Sequence, residues 1–347
     1  MSEIEEGEDE PLAAPHPRET TVLFGHEAAE QALLDAYRTR RIPHAWLIGG
    51  PPGIGKATLA YRMARFVLAH PDAASAVVQG ATSLELPETH PVVRQVAGQA
   101  HPDLLMLERT ENDSGNLRTM IVVEQTERTV PFFGSTAGAG GWRVCIVDSA
   151  DELHPASANK LLKVLEEPPA FALFLLVSHA PGRLLPTIRS RCCRLDLRAL
   201  AAEDVAKAAA AASGGEPGDS AVRAAADAAD GSVARALMLL GGPALAVRQQ
   251  VLTMLAALPQ TDATALHGLG EALSRADDGA FTTFIETICD WLSARLDTEP
   301  REPRRLARVA EVWEKVNRAA RDVEVFNLDR RPLVFTVFGL LAETARL

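Results

Sequence analysis

The sequence is poor in cysteine, and its cysteines lack the spacing of a metal site or a disulfide framework. Four occur in 347 residues, and no two of them form a C-x-x-C pair. A zinc ribbon and a disulfide-stapled fold are therefore both excluded. Because few and unpaired cysteines are typical of a reducing compartment, we expect a cytoplasmic protein. The four are Cys145, Cys192, Cys193 and Cys289.

Targeting and membrane-spanning signals are missing as well. The first residues, MSEIEEGEDEPLAAPHP, are acidic and contain neither a positively charged start nor an apolar stretch. This composition predicts no signal or transit peptide, and we expect residues 1–19 to form a solvated, disordered acidic tail. No apolar run reaches the roughly 18 residues that a bilayer span requires, so no membrane partner is expected.

Positive charge is in deficit. Lys and Arg number 35 against 46 Asp and Glu, which gives a formal net charge of −11. Nucleic acid should repel the chain as a whole, so any contact with DNA has to come from a local basic patch or from a partner protein. Hydrophobic residues at 47% and charged residues at 23% are typical of a soluble globular protein.

Apolar runs of strand length alternate with helical patterns over residues 20–200. Such alternation predicts an α/β domain in which helices cover a parallel sheet. The predicted strands are 44–49, 103–108, 143–148, 172–178 and 193–197, and the predicted helices are 27–39, 57–69, 118–130 and 155–166. Looser connections are expected at 71–100 and 134–141.

Beyond the α/β pattern the composition becomes alanine-rich and helical. A chain of 347 residues is long enough for two or three domains. We predict a small helical domain over 201–243 and a second helical domain over 244–347. In the latter, residues 279–296 and 305–325 have helical apolar spacing, and no strand is predicted.

The segment GPPGIGKA at 50–57 follows a predicted strand and opens a predicted helix. In that context a glycine-rich turn directs backbone N–H groups at phosphates, and Lys56 reaches the outer ones. The motif requires Ser or Thr after the lysine to hold magnesium, but Ala57 stands there, and Thr58 lies about 100° further round the helix. The candidate nucleotide-binding residues are Gly50, Gly53, Gly55, Lys56 and Thr58.

Two interpretations of this segment stay open. One is residual binding of ATP or ADP with weak magnesium. The other is a tight turn from strand to helix that keeps the shape of a P-loop and binds no ligand.

A second predicted strand, RVCIVD, ends in Asp148. In P-loop ATPases an aspartate at this strand end supports magnesium, and the acidic residue after it orients the attacking water. Ser149 follows in this chain and cannot serve as that carboxylate, while Asp151 and Glu152 are expected on the wrong side of the site. Loss of both the hydroxyl and the carboxylate predicts that the chain does not hydrolyse ATP. Asp148 is then a candidate residue of a vestigial nucleotide site, or a helix cap or turn residue.

The segment DSADELHPASANKLLKVLEEPP at 148–169 resembles the corresponding motif and helix of bacterial clamp-loader subunits, which belong to the AAA+ class. Four further segments carry the same resemblance: FGHE at 24–27, HPDLLMLE at 101–108, LLPTIRSRC at 184–192 and GSVARAL at 231–237. The resemblance covers about residues 22–240. It implies a P-loop AAA+ parallel-sheet domain (20–200), a helical lid (201–243) and an all-helical collar for oligomerisation (244–347).

The departures from the motor subunits of that family, the gamma and tau type, indicate which subunit the chain resembles. Motor subunits have a hydroxyl after the P-loop lysine, an acidic pair after the second motif, and often a four-cysteine zinc module, and this sequence has none of these. His70, His90 and His101 lack metal-like spacing, so zinc is not expected and no residue is assigned as a metal ligand. The lid motif has Ala234 where motor subunits have arginine, and Arg235 follows as a further candidate for a weak nucleotide site. This offset resembles the delta-prime type of DNA polymerase III subunit.

The resemblance implies a rigid stator in a ring that opens a sliding clamp and places it on primed DNA. Its partners would be gamma or tau motor subunits and the delta subunit, with the clamp and DNA reached through the assembled complex. Arg191 would be an arginine finger acting in trans on the neighbour's ATP, and no residue would be catalytic in cis. Judged from the residues alone, a surface or intrasheet salt bridge is the favoured interpretation of Arg191, since Arg189 and Arg194 stand close to it.

The resemblance implies a component of a DNA polymerase holoenzyme whose own ATPase activity is predicted absent, so the sequence does not decide whether the chain is an enzyme. Two other functions stay open. One is an active motor ATPase of the gamma or tau type, against which Ala57 and Ser149 argue. The other is an interaction protein outside replication with a relic P-loop. ATP turnover by the pure chain would support the first, and failure to co-purify with clamp-loader subunits would support the second.

Overall fold

The chain forms two compact units in a computed structural model. The structure describes residues 14–112, 117–134, 141–240, 243–276, 278–298, 303–326 and 328–345. We name the units by content: the α/β unit holds residues 15–218 and 226–234, and the helical unit holds 219–225 and 235–347. Most of the predicted acidic tail and most of the loose connection at 134–141 lie outside the described residues.

Five parallel strands form one sheet in the α/β unit. They are β1 (Ala45–Gly49), β2 (Leu104–Leu107), β3 (Arg143–Val147), β4 (Ala172–Ser178) and β5 (Cys193–Asp196), and they lie in the order β2-β3-β4-β1-β5. All five strands predicted from the sequence are confirmed to within one residue at each end. The fold is therefore the predicted doubly covered parallel sheet followed by helices.

The central strands β1, β3 and β4 are buried along their whole length, which explains their almost continuous apolar sequences. Successive side chains still point to opposite faces of the sheet. Trp46 and Ile48 of β1 belong to one core, whereas Ala45 and Leu47 belong to the other. Each face thus buries its own apolar layer.

Nine helices of the described α/β unit flank the sheet. They are α1 (Glu27–Arg38), α2 (Lys56–Ala69), α3 (Ala76–Gly80), α4 (Pro91–Ala97), α5 (Val123–Glu127), α6 (Thr129–Gly134), α7 (Pro155–Glu166), α8 (Pro186–Arg189) and α9 (Ala202–Ser213). Helices α1, α2 and α4 supply the core on one face, and α6, α7 and α8 supply the core on the other. Short 3₁₀ turns lie at 150–152 and 181–183.

Two predictions of helix position in this unit were wrong. The single helix expected at 118–130 is replaced by α5 and α6, because Ile121 pairs instead with the segment after β3: its N–H donates to the Glu152 carbonyl oxygen (2.9 Å), and its carbonyl oxygen accepts from the His154 N–H (3.1 Å). The connection at 71–100 contains α3 and α4, whose first turns are capped by Ser75 and His90.

The N-terminal segment, residues 16–21, packs on α2. The guanidinium group of Arg65 donates to the Thr20 carbonyl oxygen at 2.6 Å, and that of Arg62 donates to the Thr21 carbonyl oxygen. The His16 ring meets the Tyr61 ring edge-on, with 6.1 Å between the ring centroids. Residues 16–19, which the sequence assigns to the acidic tail, take part in this packing.

The helical unit and the residues that lead into it contain seven helices in the described part of the chain. They are α10 (Ser220–Ala228), α11 (Val233–Leu240), α12 (Ala244–Ala256), α13 (Ala263–Arg275), α14 (Asp278–Thr298), α15 (Pro303–Phe326) and α16 (Arg330–Ala345). Helix α14 packs on α12 and α15, and α16 packs on α13 and α15. The helices predicted at 279–296 and 305–325 are confirmed, whereas the division into lid and collar stays a prediction. None of the described helices has the length and apolarity needed to cross a bilayer.

Candidate functional site

Three loops meet at the carboxyl edge of the sheet, where ligands of open parallel sheets bind. The P-loop follows β1, Asp148 follows β3, and His179 follows β4. Because β4 lies between β1 and β3, these three loops are neighbours. The sheet topology therefore brings together residues that are far apart in the sequence.

The P-loop glycines are needed for backbone conformation and for space. Gly53 has φ of 74° and Gly55 has φ of 95°, both in the left-handed region that favours glycine. A Cβ atom on Gly53 would lie 2.1 Å from the Ser232 Oγ, and one on Gly50 would lie 2.5 Å from the Leu197 carbonyl oxygen. The Gly53 carbonyl oxygen accepts the Val233 N–H at 2.9 Å. The loop is therefore packed tightly against the start of α11.

The loop still presents donors that fit a phosphate group. Within the described chain, no hydrogen bond joins the N–H of Ile54, Gly55 or Lys56 to another residue's carbonyl oxygen, and these groups stand at the N-terminus of α2. The Lys56 ammonium donates to the Pro51 carbonyl oxygen. Burial lowers the pKa of Lys56 to about 8, and the charges of Asp148 and Asp151 offset only part of that shift.

Magnesium fits this site less well than phosphate does. Ala57, at the second position of α2, has no hydroxyl group, and Thr58 is half-buried one position further along. Burial also raises the pKa of Asp148, although His179, His16 and Lys56 act in the opposite direction. A carboxyl group that is harder to ionise is a weaker partner for a divalent cation. The residues present thus fit a phosphate anchor without the metal-binding set of a motor ATPase.

Ser149 occupies the position of the water-orienting carboxylate and is hydrogen-bonded to His179. Its Oγ lies 3.1 Å from the His179 Nε2, and its own backbone has φ of 62°. Asp151 is closer to the site than expected, since its Oδ1 accepts the His179 N–H at 2.8 Å and its charge acts on Lys56. Glu152 instead forms an ion pair with Arg109 at 2.9 Å. The prediction that Asp151 lies on the wrong side of the site is therefore incorrect, although its carboxylate is hydrogen-bonded to a backbone N–H.

His179 is a site residue that the sequence interpretation missed. Burial lowers its pKa, Lys56 lowers it further, and Asp151 and Asp148 raise it. The sequence contains a usable signal, because His179 directly follows a predicted buried strand. Reading every residue that follows a central strand as a neighbour of the P-loop would have found it.

Arg191 lies at the amino end of the strands, whereas these residues lie at the carboxyl end. It stands two positions before β5, whose first residue pairs with Trp46 of the parallel strand β1. Its Nη2 lies 2.8 Å from the Glu166 Oε1, and its Nη1 donates to the Thr187 carbonyl oxygen at 2.9 Å. Arg191 is therefore not part of the P-loop site of its own chain.

Arg235 belongs to the helical unit and is engaged there by carboxylates of α14. Its Nη2 donates to the Asp290 Oδ2 at 2.5 Å, and its Nε lies 3.4 Å from the Glu286 Oε2. Burial raises the pKa of Glu286, and Arg235 lowers it. This pairing neutralises the guanidinium group of Arg235, which the sequence suggests as a weak nucleotide ligand.

The histidines considered for metal binding are dispersed. His101 is buried and its Nδ1 accepts the Asp103 N–H at 3.2 Å, whereas the His70 and His90 rings lie 6.4 Å apart. Among the described residues, no group of three or more His, Cys, Asp or Glu side chains is arranged to hold a metal ion.

Comparison with known proteins identifies relatives that match part of the chain. The chain is 38% identical to DNA polymerase III subunit delta' of Pseudomonas aeruginosa over 43% of this chain and 41% of that protein. It is 35% identical to DNA polymerase III subunit delta' of Escherichia coli over 47% and 44%, and 29% identical to DNA polymerase III subunit gamma of Buchnera aphidicola over 54% and 47%. The matches thus span less than half the length of these relatives.

The resemblance to delta-prime subunits is confirmed by these matches. In addition, the family described as "DNA polymerase III, delta subunit" matches residues 25–201, which is just over half of the chain. This range includes the P-loop, Asp148, His179 and Arg191. The chain belongs to the DNA polymerase III delta subunit family.

Proposed function

We propose that this chain is a clamp-loader subunit that does not hydrolyse ATP and that stabilises the ATP of a neighbouring subunit through Arg191. The observation that carries this proposal is the position of Arg191. Strand β1 is five residues long between its amino and carboxyl ends and β5 is four, so the two ends of the sheet lie about 15 Å apart. A guanidinium group at that distance cannot serve the P-loop of its own chain, but an adjacent subunit can bring its nucleotide to it.

Arginine suits this role because its guanidinium is planar, permanently charged and able to form paired hydrogen bonds with phosphate oxygens. Charge develops on the transferred phosphoryl group, and a cation supplied by a neighbouring protein stabilises it. The half-exposed Arg191 side chain has donors left for such a contact. Its acceptors are Glu166, the Thr187 carbonyl oxygen and, at 3.5 Å, the Ser190 Oγ, and they use only part of its hydrogen-bonding capacity.

The chain's own P-loop is proposed as a weak phosphate site for ATP or ADP. The N–H groups of Ile54, Gly55 and Lys56 and the Lys56 ammonium would hold the phosphates. A bound nucleotide would supply a fixed anion that joins the loop to α2. Hydrolysis is not expected, because Ala57 offers no hydroxyl to magnesium and Ser149 offers no carboxylate to water.

The partners follow from the family. We propose that the chain assembles in the cytoplasm with gamma or tau motor subunits and a delta subunit, and that it reaches the sliding clamp and primed DNA through that complex. The delta' and gamma names of the relatives support membership of such a complex. The net charge of −11 supports an indirect contact with DNA, because the chain alone is repelled by it.

The test is ATP turnover in a clamp loader reconstituted with this chain, its motor subunits, the clamp and primed DNA. Arg191→Ala is expected to slow turnover at the neighbouring site by at least about tenfold, since it removes the cation from the transition state. Lys56→Ala should have a milder effect. Arg189→Ala is the matched control, because Arg189 is exposed and forms no ion pair with a described residue.

Three results would contradict the proposal. Unchanged turnover with Arg191→Ala would remove the finger assignment, and magnesium-dependent ATP hydrolysis by the purified chain would indicate an active motor. Failure to co-purify with clamp-loader subunits would instead favour an interaction protein outside replication.

A further inference from the structure

Arg191 is held by a carboxylate of its own chain. Glu166 is the last residue of α7, and its Oε1 lies 2.8 Å from the Arg191 Nη2. The Arg191 Nη1 donates to the Thr187 carbonyl oxygen of α8 at 2.9 Å. Residues of two separate helices thus contact the two terminal nitrogens of one guanidinium group.

This pairing is selective among the nearby charges. Arg189 and Glu167 stand within two residues of the pair and are both exposed, yet neither forms an ion pair with any described residue. A non-selective surface attraction would be expected to involve them as well. The local fold therefore singles out Glu166 and Arg191.

The position of Glu166 is not explained by the stability of its own helix. The C-terminus of an α-helix carries partial negative charge, so a carboxylate in the last turn is unfavourable there. The cation of Arg191 compensates that charge. Because the two side chains are 35% and 44% exposed, solvent screens the pair, and its contribution to overall stability is small.

We propose that Glu166 is the positioning residue for the arginine finger. It fixes the Arg191 Nη2 while the Thr187 carbonyl oxygen fixes Nη1, so that the remaining N–H donors point away from the chain in one defined orientation. An arginine side chain loses much rotamer freedom when it is immobilised, and ordering it before the neighbour's nucleotide arrives reduces that cost at the reaction step. Glu166 acts through Arg191 and does not touch the nucleotide. This inference rests on the proposed function.

The first test probes the isolated chain and needs no partner. Phenylglyoxal, which modifies accessible guanidinium groups, is expected to label Arg191 more slowly than the exposed Arg189, as followed by mass spectrometry. Glu166→Ala should raise the labelling rate of Arg191 severalfold, and Glu167→Ala should leave it unchanged. Equal labelling of Arg191 in the wild type and in Glu166→Ala would show that Glu166 does not hold the finger.

The second test uses the reconstituted clamp loader and separates kcat from KM for ATP. Glu166→Ala is expected to lower kcat about fivefold with KM unchanged, because orientation matters in the transition state and ground-state binding lies elsewhere. Glu166→Gln, which keeps a hydrogen-bond acceptor, should recover part of the loss. In an Arg191→Ala background, Glu166→Ala should cause no further loss.

The outcomes distinguish this inference from the proposed function. If Arg191→Ala lowers kcat while Glu166→Ala behaves like the control Glu167→Ala, the finger stands and the positioning role of Glu166 falls. If Glu166→Ala still lowers kcat in the Arg191→Ala background, its effect is structural and the inference is also overturned. If Arg191→Ala leaves kcat unchanged, both the finger and its positioning residue are rejected.

Discussion

Lys56 is a buried residue, and the hydrogen-bond acceptor of its ammonium group is a carbonyl oxygen of the same loop. Burial lowers its pKa to about 8 from the usual 10.5 of an unperturbed lysine. Between these two values the unfolded chain binds the proton and the folded chain does not. The free energy of unfolding therefore rises with pH across this window, and below about pH 8 the charged lysine opposes folding.

We predict that Lys56→Met removes this pH dependence. Between pH 7 and pH 10, the free energy of unfolding of the wild type should rise by about 2 kcal/mol more than that of Lys56→Met. Urea unfolding at several pH values measures the difference. Lys163→Met, which replaces an exposed lysine of α7, is the control and should follow the wild type. Parallel curves for wild type and Lys56→Met would show that the lysine is not desolvated in the folded chain.

The elements of the α/β unit were predictable where local pattern and final environment agree. The central strands β1, β3 and β4 are almost continuous apolar runs because the sheet is covered on both faces, and α1, α2 and α7 follow their apolar spacing. Helix α5 was misplaced because pairing of Ile121 with residues 152–154 overrides the helical preference of its segment. The caps at Ser75 and His90 are local signals that were available in the sequence and were overlooked.

The residues of the site also differ in how far the sequence alone predicts them. The P-loop residues lie in one short motif, so the sequence alone assigns them. His179 and Glu166 acquire their roles from tertiary contacts: His179 from the position of β4 between β1 and β3, and Glu166 from the approach of α7 to Arg191. A linear motif contains no information of that kind. The same holds for Arg235, whose partners Glu286 and Asp290 stand more than fifty residues away in the sequence.

Helix α2 also fixes the N-terminal segment through Arg65. This side chain is 2% exposed, and burial lowers its pKa to about 10, with the nearby Arg62 lowering it further. Its hydrogen bonds go to the carbonyl oxygens of Thr20 and Arg18, at 2.6 and 3.4 Å. The cation is therefore stabilised by the very backbone that it holds in place.

We predict that Arg65→Met releases the N-terminal segment without unfolding the sheet. Methionine fills similar space but offers no donor, so the amides of residues 18–22 should exchange hydrogen about tenfold faster, while those of β3 keep their protection. Hydrogen exchange with peptide-level mass spectrometry resolves the two regions. Arg94→Met, on the exposed face of α4, is the matched control. Unaltered exchange in the N-terminal segment would mean that other contacts hold it.

At the scale of the whole molecule, the helical unit presents apolar side chains that its own core does not use. Val325 is 73% exposed and Phe326 is 67% exposed, and Leu328 beyond them is exposed as well. Val325 and Phe326 end α15 and Leu328 precedes α16, and we call these three residues the apolar turn. Several exposed apolar residues close together in the sequence can form part of a protein interface, whereas single exposed apolar residues are ordinary. The apolar turn is therefore a suitable contact for the partner subunits proposed above.

We predict that the double variant Val325→Asp and Phe326→Asp stays folded but assembles poorly. Both side chains are largely exposed, so their replacement should change the midpoint of thermal unfolding little, whereas two carboxylates in a buried interface are strongly unfavourable. Size-exclusion chromatography with the motor and delta subunits should show the double variant eluting apart from the complex. Leu252→Asp, at an exposed position of α12, is the control and should co-elute. Co-elution of the double variant at wild-type yield would show that assembly does not depend on the apolar turn.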